Sequence, residues 1–475
     1  MTRRRVAVVG GGFGGLAAAG LLARAGCAVT LFEAEAVLGG KARRLRAEGV
    51  TLDTGPTLLT MPGVVRALFA DLDAADLMPP LTELAEQCAY RFADGRDFVA
   101  TRTLAPMIEA ARAIDLADGP AVRTFYDEAA ALYRAAGEPY LEAPFEGMAG
   151  FMRRVARRGP GAVLSGLRMG TLAGLAARHF RSPALRQVVG RYATYVGASP
   201  WQVSAAFALI PHLERVEGVH HVRGGMAALV EALAAAARRL GVRIELGARA
   251  RWASRGRGFV AGPPGAEDEV DAVIVNADPL GDRHADPLAL SGYVLLLAVP
   301  RRLALPHHGV FFSADYGREF AQLFAGEPPD DPTVYVCHPA VTDPTMASPG
   351  ASGLYVMVNA PTLRGPQAVW PHTDRVRAQC LARLDAVVPG LSRDAVVLGE
   401  RTPVDFAREG APRGSLYGFL PRGRFGPFRR PRMRGRAPGL FYAGGGTHPG
   451  GGVPMVLRSG RFAAAMALDH LGVRA

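Results

Sequence analysis

The chain has 475 residues, 49% hydrophobic and 21% charged, which suits a globular protein and excludes disorder, collagen and coiled coil as descriptions of the whole. Its 58 glycines and 36 prolines stay below the roughly 25–30% that marks low-complexity sequence. The formal charge of +12 comes from a composition so rich in Arg that Lys41 is the only lysine, so it reads as compositional drift and no nucleic-acid partner is expected.

In chain order, Val6-Ala7-Val8-Val9 predicts a strand, Gly10 to Gly15 a tight turn, an Ala/Leu-rich run to Ala25 a helix, and Val29 to Glu33 a second strand after the Gly26 stop. Residues 86–216 carry a hairpin signal at Asp94-Gly95 followed by helices. Arg223-Gly224-Gly225 opens a predicted helix, Met226 to Leu240, that ends at Gly241 and feeds the strand Val242 to Leu246. Val270 to Asn276 is nearly all apolar and predicts a buried strand. Strand-like runs at Tyr293–Val299, Val334–Cys337 and Leu354–Val358 mark residues 286–400. The chain closes with the strand Gly439 to Ala443, a glycine-dense turn and a helix from Pro454 to about Leu471. The expected fold class is α/β: a Rossmann-like dinucleotide domain from 1–85, 217–285 and 401–475, interleaved with an α+β substrate domain from 86–216 and 286–400.

Gly10, Gly12 and Gly15 form a G-x-G-x-x-G that follows a strand and opens a helix, with Gly14 inside it and Glu33 closing the next strand about 20 residues on. The first glycine makes the turn, the second lets backbone amides approach a pyrophosphate, and the carboxylate can take both hydroxyls of an adenosine ribose. Gly39-Gly40-Lys41-Ala42-Arg43 adds a second glycine pair and two cations just beyond, favouring a permanently held flavin dinucleotide over NAD. Gly444 to Met455 is too glycine-dense for packing and runs straight into a helix with Pro454 in its first turn. A helix start aimed at the flavin carbonyl edge would stabilise negative charge on the reduced ring.

No window holds 18 apolar residues without a charge, and the N-terminus enters a strand directly, so the protein is expected to be neither membrane-spanning nor secreted. Cys27, Cys88, Cys337 and Cys380 lack any C-x-x-C spacing and read as reduced cytosolic thiols; no metal is expected and structural zinc is excluded.

The terminal string Tyr442-Ala443-Gly444-Gly445-Gly446-Thr447-His448-Pro449-Gly450-Gly451-Gly452-Val453-Pro454, with the N-terminal fingerprint, Asp53-Thr54-Gly55-Pro56-Thr57, Tyr195 to Pro200 and Arg223-Gly224-Gly225-Met226, resembles the carotenoid desaturases of the phytoene desaturase type. These are flavoproteins of the amine-oxidase-like superfamily, and the resemblance spans the whole chain. It implies non-covalent FAD on the glycines above together with Gly446 and Thr447. It also implies that Gly55, Pro56, Thr57 and Val453, Pro454, Met455 flank the isoalloxazine, and that Ala250 lies near the adenine through its backbone. Where amine oxidases place an aspartate for the ribitol, this chain has Gly445. Val453-Pro454-Met455 and the segment His307 to Tyr316 with Glu319-Phe320 look more like desaturases of hydroxylated or methoxylated acyclic carotenoids than like those that take phytoene, with His307, His308 and Tyr316 as substrate candidates. Phytoene desaturation, carotenoid isomerisation, polar-amine oxidation and a catalytically silent isoprenoid carrier stay open as alternatives.

His448 is the only titratable group in the terminal motif: it either accepts the substrate proton or holds the glycine turn. An insoluble polyene has to be reached from a bilayer surface, and Phe151 to Arg158, basic and amphipathic, followed by the apolar Ala162 to Ala177, is the expected contact. That places the protein in the cytoplasm, peripheral on the inner face of the cell membrane, with a quinone or oxygen as electron acceptor.

Overall fold

A computed structural model describes residues 3–159, 170–256, 258–281, 287–365 and 369–474. Five parallel strands form the first sheet, in the order Leu440–Tyr442, Ala272–Val275, Arg5–Val9, Ala28–Phe32, Arg243–Glu245. Val6 and Val8 point to one face, where Phe13–Arg24, Met226–Arg239 and Val453–Leu471 pack. Ala7, Val273 and Val275 point to the other, against Phe259 and Ala261 of a small antiparallel sheet. Both faces are covered, which is why these strands read as continuous apolar runs.

The helix Phe13–Arg24 crosses Val453–Leu471 at backbone contact: a Cβ on Gly460 would stand 2.2 Å from the Gly14 carbonyl oxygen. Only small residues permit that approach.

The second sheet has seven strands, in the order Val396–Arg401, Ser291–Val299, Ser352–Ala360, Val334–Cys337, His308–Phe311, Glu86–Arg91, Asp97–Thr101. All pairs are antiparallel except His308–Phe311 with Glu86–Arg91. Glu86–Arg91 and Asp97–Thr101 are joined by the Asp94-Gly95 turn, closed by Phe92 N–H on Arg96 O at 2.9 Å. Ser291–Val299 is buried along its whole length, between Val376, Cys380 and Leu384 of the helix Thr373–Asp385 and a cluster with Phe406, Val50 and Leu52. Helices Leu104–Ile114, Asp118–Leu132, Leu172–His179 and Pro183–Arg191 close over Tyr90, Phe92, Phe98 and Phe312.

The sheets are stitched by specific bonds. The Lys41 ammonium donates to Leu416 O at 2.8 Å, Arg401 donates to Thr54 O at 3.0 Å, and Leu290 N–H donates to Gly197 O at 2.7 Å.

Candidate active site

Three long helices begin near the same end of the first sheet, and their caps differ. Asp53 caps Met226–Arg239, its carboxylate accepting from Met226 N–H at 2.7 Å and Ala227 N–H at 3.1 Å. Burial pushes that carboxyl up to about 6, against the pull of those two amides. Phe13–Arg24 starts at Gly12 and Val453–Leu471 at Gly452, with no capping side chain and no acid in the first turn. Their leading amides and dipole ends are left for an external anion.

The fingerprint turn is built around backbone contact. Gly10 has φ of +100°, and a Cβ on Gly15 would lie 1.9 Å from the Gly10 carbonyl oxygen. Glu33 is 8% exposed; one carboxylate oxygen accepts from Gly11 N–H at 2.7 Å and the other from Glu35 N–H at 3.0 Å. Glu33 O also receives Ala248 N–H at 2.8 Å, which brings the backbone toward Ala250, packed on the same cluster as Phe32. Gly39 N–H donates to Gly11 O at 3.0 Å, so Gly40 stands over Gly12, with its Cβ position 3.8 Å from Gly12 Cα. A side chain on either glycine would fill the space between them. Lys41 is exposed; desolvation of its ammonium, with Arg401 nearby, lowers it to about 8. Arg43 turns inward, its Nε on Gly40 O at 2.9 Å, and is held near Glu35 and Glu409.

The terminal loop meets this turn through Asn276, which sequence reasoning missed. Its amide oxygen is 2.7 Å from a Cβ placed on Gly14 and 2.9 Å from one on Gly444, while its Nδ2 is 3.0 Å from one on Gly12. Asp278 stands in the same way under Gly446. The signal was available: both follow the C-terminal end of a buried parallel strand, where open α/β sheets bind ligands. Arg430, 8% exposed, donates to Gly445 O at 3.1 Å, placing a buried cation where the sequence lacks the ribitol aspartate. Thr447 is fully buried and donates to Pro431 O at 2.6 Å. Ser459 Oγ receives Gly444 N–H and donates to His448 O at 2.8 Å, tying the loop to the helix that starts at Val453, Pro454 and Met455.

His448 is 3% exposed. Its Nε2–H donates to Ala143 O at 3.0 Å, and its ring packs on Tyr140 at 4.5 Å and Phe462 at 5.9 Å between centroids. Burial, outweighing its backbone acceptors, lowers it to about 3, so it is neutral across the physiological range. We expect activity from pH 6 to 9 to show no inflection from this residue, and His448→Ala to release flavin and cost about 2–4 kcal/mol. Lower turnover with full flavin content and an unchanged melting temperature would assign it a catalytic role instead.

The substrate candidates separate. Tyr316 is 6% exposed and packs with Trp201, Phe312 and Phe320, while His307 and His308, 5% and 1% exposed, pack on His221, Tyr335 and each other. Thr57 and Tyr335 are partly exposed, their hydroxyls 2.7 Å apart. Tyr335 Oη also meets His308 Nδ1 at 2.8 Å. Two more tyrosines missed from sequence approach the glycine motifs: Tyr355 Oη is 3.2 Å from a Cβ on Gly55, and Tyr417 is 3.3 Å from one on Gly451.

Two uncapped helix starts, the buried Glu33 carboxylate and glycines pressed against backbone fit a bound dinucleotide such as FAD. The sequence profile of the flavin containing amine oxidoreductases matches residues 13–468. The chain is 36% identical to hydroxyneurosporene desaturase of Rhodobacter capsulatus, over 98% of each chain, and 35% identical to that of Rubrivivax gelatinosus, over 98% of this chain and 94% of the relative. It is 32% identical to the zeta-carotene-forming phytoene desaturase of Myxococcus xanthus, over 96% of this chain and 92% of that one. Among solved structures, cyclohexylamine oxidase from Brevibacterium oxydans matches with a TM-score of 0.63 at 18% identity, over 99% of this chain and 100% of that one. Putrescine oxidase bound to putrescine matches at 0.59 and 17%, over 98% and 99%. The chain belongs to the flavin-containing amine oxidoreductase family and, within it, to the carotenoid desaturases. It is an FAD-dependent oxidoreductase.

Proposed function

We propose that the protein removes a hydride and a proton from adjacent carbons of an acyclic carotenoid, extending the conjugated system, and that its substrate is a 1-hydroxy or methoxy carotenoid desaturated at the 3,4 position. The hydroxyl pair of Thr57 and Tyr335, 2.7 Å apart beside the Gly55–Thr57 segment, carries this reading. A terminal oxygen on the substrate accepts the Thr57 hydroxyl proton, which is free when Tyr335 donates to Thr57, and a chain lacking that oxygen leaves this donor without a partner. The similarity to hydroxyneurosporene desaturases supports the same reading.

Bound non-covalently at the cofactor residues above, FAD supplies hydride acceptance. The protein's own part is to hold a flexible chain in register along apolar walls, exclude water and position the oxygenated end. Acid precipitation is expected to leave the flavin in the supernatant.

The test supplies FAD-loaded protein in liposomes, with a quinone or oxygen as acceptor, separately with phytoene and with 1-hydroxyneurosporene. A spectral red shift only with the hydroxylated polyene supports the reading, and coloured product from phytoene alone overturns it in favour of phytoene desaturation. Tyr335→Phe is expected to lower turnover of the hydroxylated substrate about tenfold, about 1.4 kcal/mol, with flavin content unchanged.

The polyene arrives from a membrane. Among the described residues no helix is long and apolar enough to cross one. The helix Met148–Ala156 buries Phe151 and Val155 and exposes Met148 and Met152, 40% each, beside Arg153 and Arg157. Phe151 packs on Phe428 at 4.7 Å, and Gly423 N–H bonds to Gln202 O at 2.7 Å, which brings Phe425, 57% exposed, and Trp201, 50% exposed, into one region with that helix. Apolar tips among arginines suit an anionic bilayer surface. Of the apolar stretch expected to follow, 162–169 lie outside the described residues, and Leu172, Leu175 and Ala176 are fully buried core. That end is not membrane contact. The protein is expected to float with anionic vesicles in low salt, and Trp201→Ser with Phe425→Ser to sink.

A further inference from the structure

His307, His308 and Cys337 converge although 28 residues lie between the histidine pair and the cysteine. The strand His308–Phe311 pairs antiparallel with Val334–Cys337, His308 directly opposite Cys337, which puts both side chains on one face. His338 N–H bonds to His307 O at 2.8 Å, extending the ladder by a residue, and the two histidine rings are 4.5 Å apart at 68°. One ligand atom from each of the three residues lies within 4.8 Å of the others. His307, His308 and Cys337 are 5%, 1% and 3% exposed.

Each histidine has a hydroxyl partner on Nδ1, an arrangement compatible with the Nδ1–H tautomer. His307 Nδ1 is 2.7 Å from Thr342 Oγ1 and His308 Nδ1 is 2.8 Å from Tyr335 Oη. Tyr335 can donate to Thr57 Oγ1 at 2.7 Å while accepting from the imidazole. With the proton on Nδ1, each ring presents an Nε2 lone pair. Both Nε2 atoms are buried with no partner among the described residues. Two buried Nε2 atoms without a partner, on rings each held by a hydroxyl and clustered with a cysteine, resemble the outer-shell arrangement that orients metal-binding imidazoles.

We propose that His307, His308 and Cys337 bind one soft monovalent metal ion, Cu(I). Two neutral imidazoles and one thiolate balance a single positive charge, so the filled site is neutral inside an apolar interior. A divalent ion would leave a net charge there and call for a fourth ligand. Asp343 does not supply one: its carboxylate is taken by His221 Nε2, Gly224 N–H and Thr345. Mixed imidazole and thiolate donors select soft ions. With metal–nitrogen bonds of about 2.0 Å and a metal–sulfur bond of about 2.3 Å, the ligand atoms of a trigonal site lie roughly 3.5–3.8 Å apart, so the triangle closes by about 1 Å on binding. The thiol proton leaves to solvent as the sulfur–metal bond forms. The site lies behind Tyr335 and stands on its own geometry, whichever carotenoid is the substrate.

The experiment uses the full-length FAD-loaded protein, stripped with chelator and titrated anaerobically with Cu(I) in competition with bicinchoninate. One equivalent per chain is expected, with X-ray absorption showing two nitrogens near 2.0 Å and one sulfur near 2.3 Å. Cys337→Ser and His308→Gln, each checked for flavin content and circular dichroism, should lose that equivalent, and Cys88→Ser and Cys380→Ser should keep it. Failure of the parent protein to hold Cu(I) against the competitor overturns the proposal. So does full binding by Cys337→Ser, or an absorption spectrum of the parent protein without sulfur.

Discussion

Gly15→Ala is expected to yield flavin-free protein with a stability loss of about 3 kcal/mol or more, because its Cβ would stand 1.9 Å from the Gly10 carbonyl oxygen and backbone cannot rotate away as a side chain can. The first helix has to move off the first strand by more than 1 Å, and that moves Gly12 and the leading amides of the helix out of reach of a pyrophosphate. The ratio of absorbance at 450 to 280 nm and the denaturation midpoint check it. Gly63→Ala is the control: nothing lies within 4 Å of its Cβ position on the exposed side of Pro62–Asp71, and alanine there should be neutral or stabilising by about 0.5–1 kcal/mol. Glu33→Lys should also abolish flavin retention, since it removes the acceptor for Gly11 and Glu35 N–H and sets a cation where the ribose hydroxyls need a carboxylate. Full yellow protein from Gly15→Ala would mean that the fingerprint turn does not hold the cofactor.

The second large effect lies in the helical layer over the second sheet. Glu214, 2% exposed, accepts from Tyr195 Oη at 2.5 Å. Arg191, 7% exposed, donates to both Tyr195 and Tyr90 at 3.2 Å, with its guanidinium 4.9 Å from the Tyr195 ring centroid. Burial raises the Glu214 carboxyl, and Arg191 and Tyr195 counter that rise. Glu214→Gln keeps the shape and removes the buried carboxylate that balances the Arg191 charge through the shared Tyr195 hydroxyl, a loss expected to stay below the roughly 3–5 kcal/mol of a broken direct pair. Arg191→Met combined with Glu214→Gln should recover most of the loss, because it removes the stranded charge as well. Urea midpoints of the four proteins complete the cycle. A single variant as stable as the parent would show that the two charges are not coupled.

The dinucleotide half of the site was legible because its chemistry is local. A strand, a glycine turn, a helix and a carboxylate occupy about 25 consecutive residues, and Gly10, Gly12, Gly15 and Glu33 each answer to a backbone contact within that unit. The terminal helix was equally plain, since an apolar run behind Gly452 and Pro454 needs no partner to be recognised. Asn276, Asp278 and Arg430 were not visible in this way: each is a single polar residue in an ordinary context, and what makes it part of the site is strand order, which sets Ala272–Val275 beside Arg5–Val9 across more than 260 residues. The substrate side was harder still. His307, His308 and Tyr316 lie within ten residues of each other, yet a strand and a turn carry the histidines to His221 and Tyr335 and send Tyr316 to Phe320 and Trp201. A C-x-x-C spacing reports only ligands from one segment, whereas antiparallel pairing sets Cys337 opposite His308 from a distant one. Cofactor class and fold were therefore determined by local backbone geometry written in the chain itself. Which polar groups face the substrate, and which lie behind them, was decided by long-range strand pairing, because side-chain neighbours across a sheet depend on register and topology rather than on distance along the sequence.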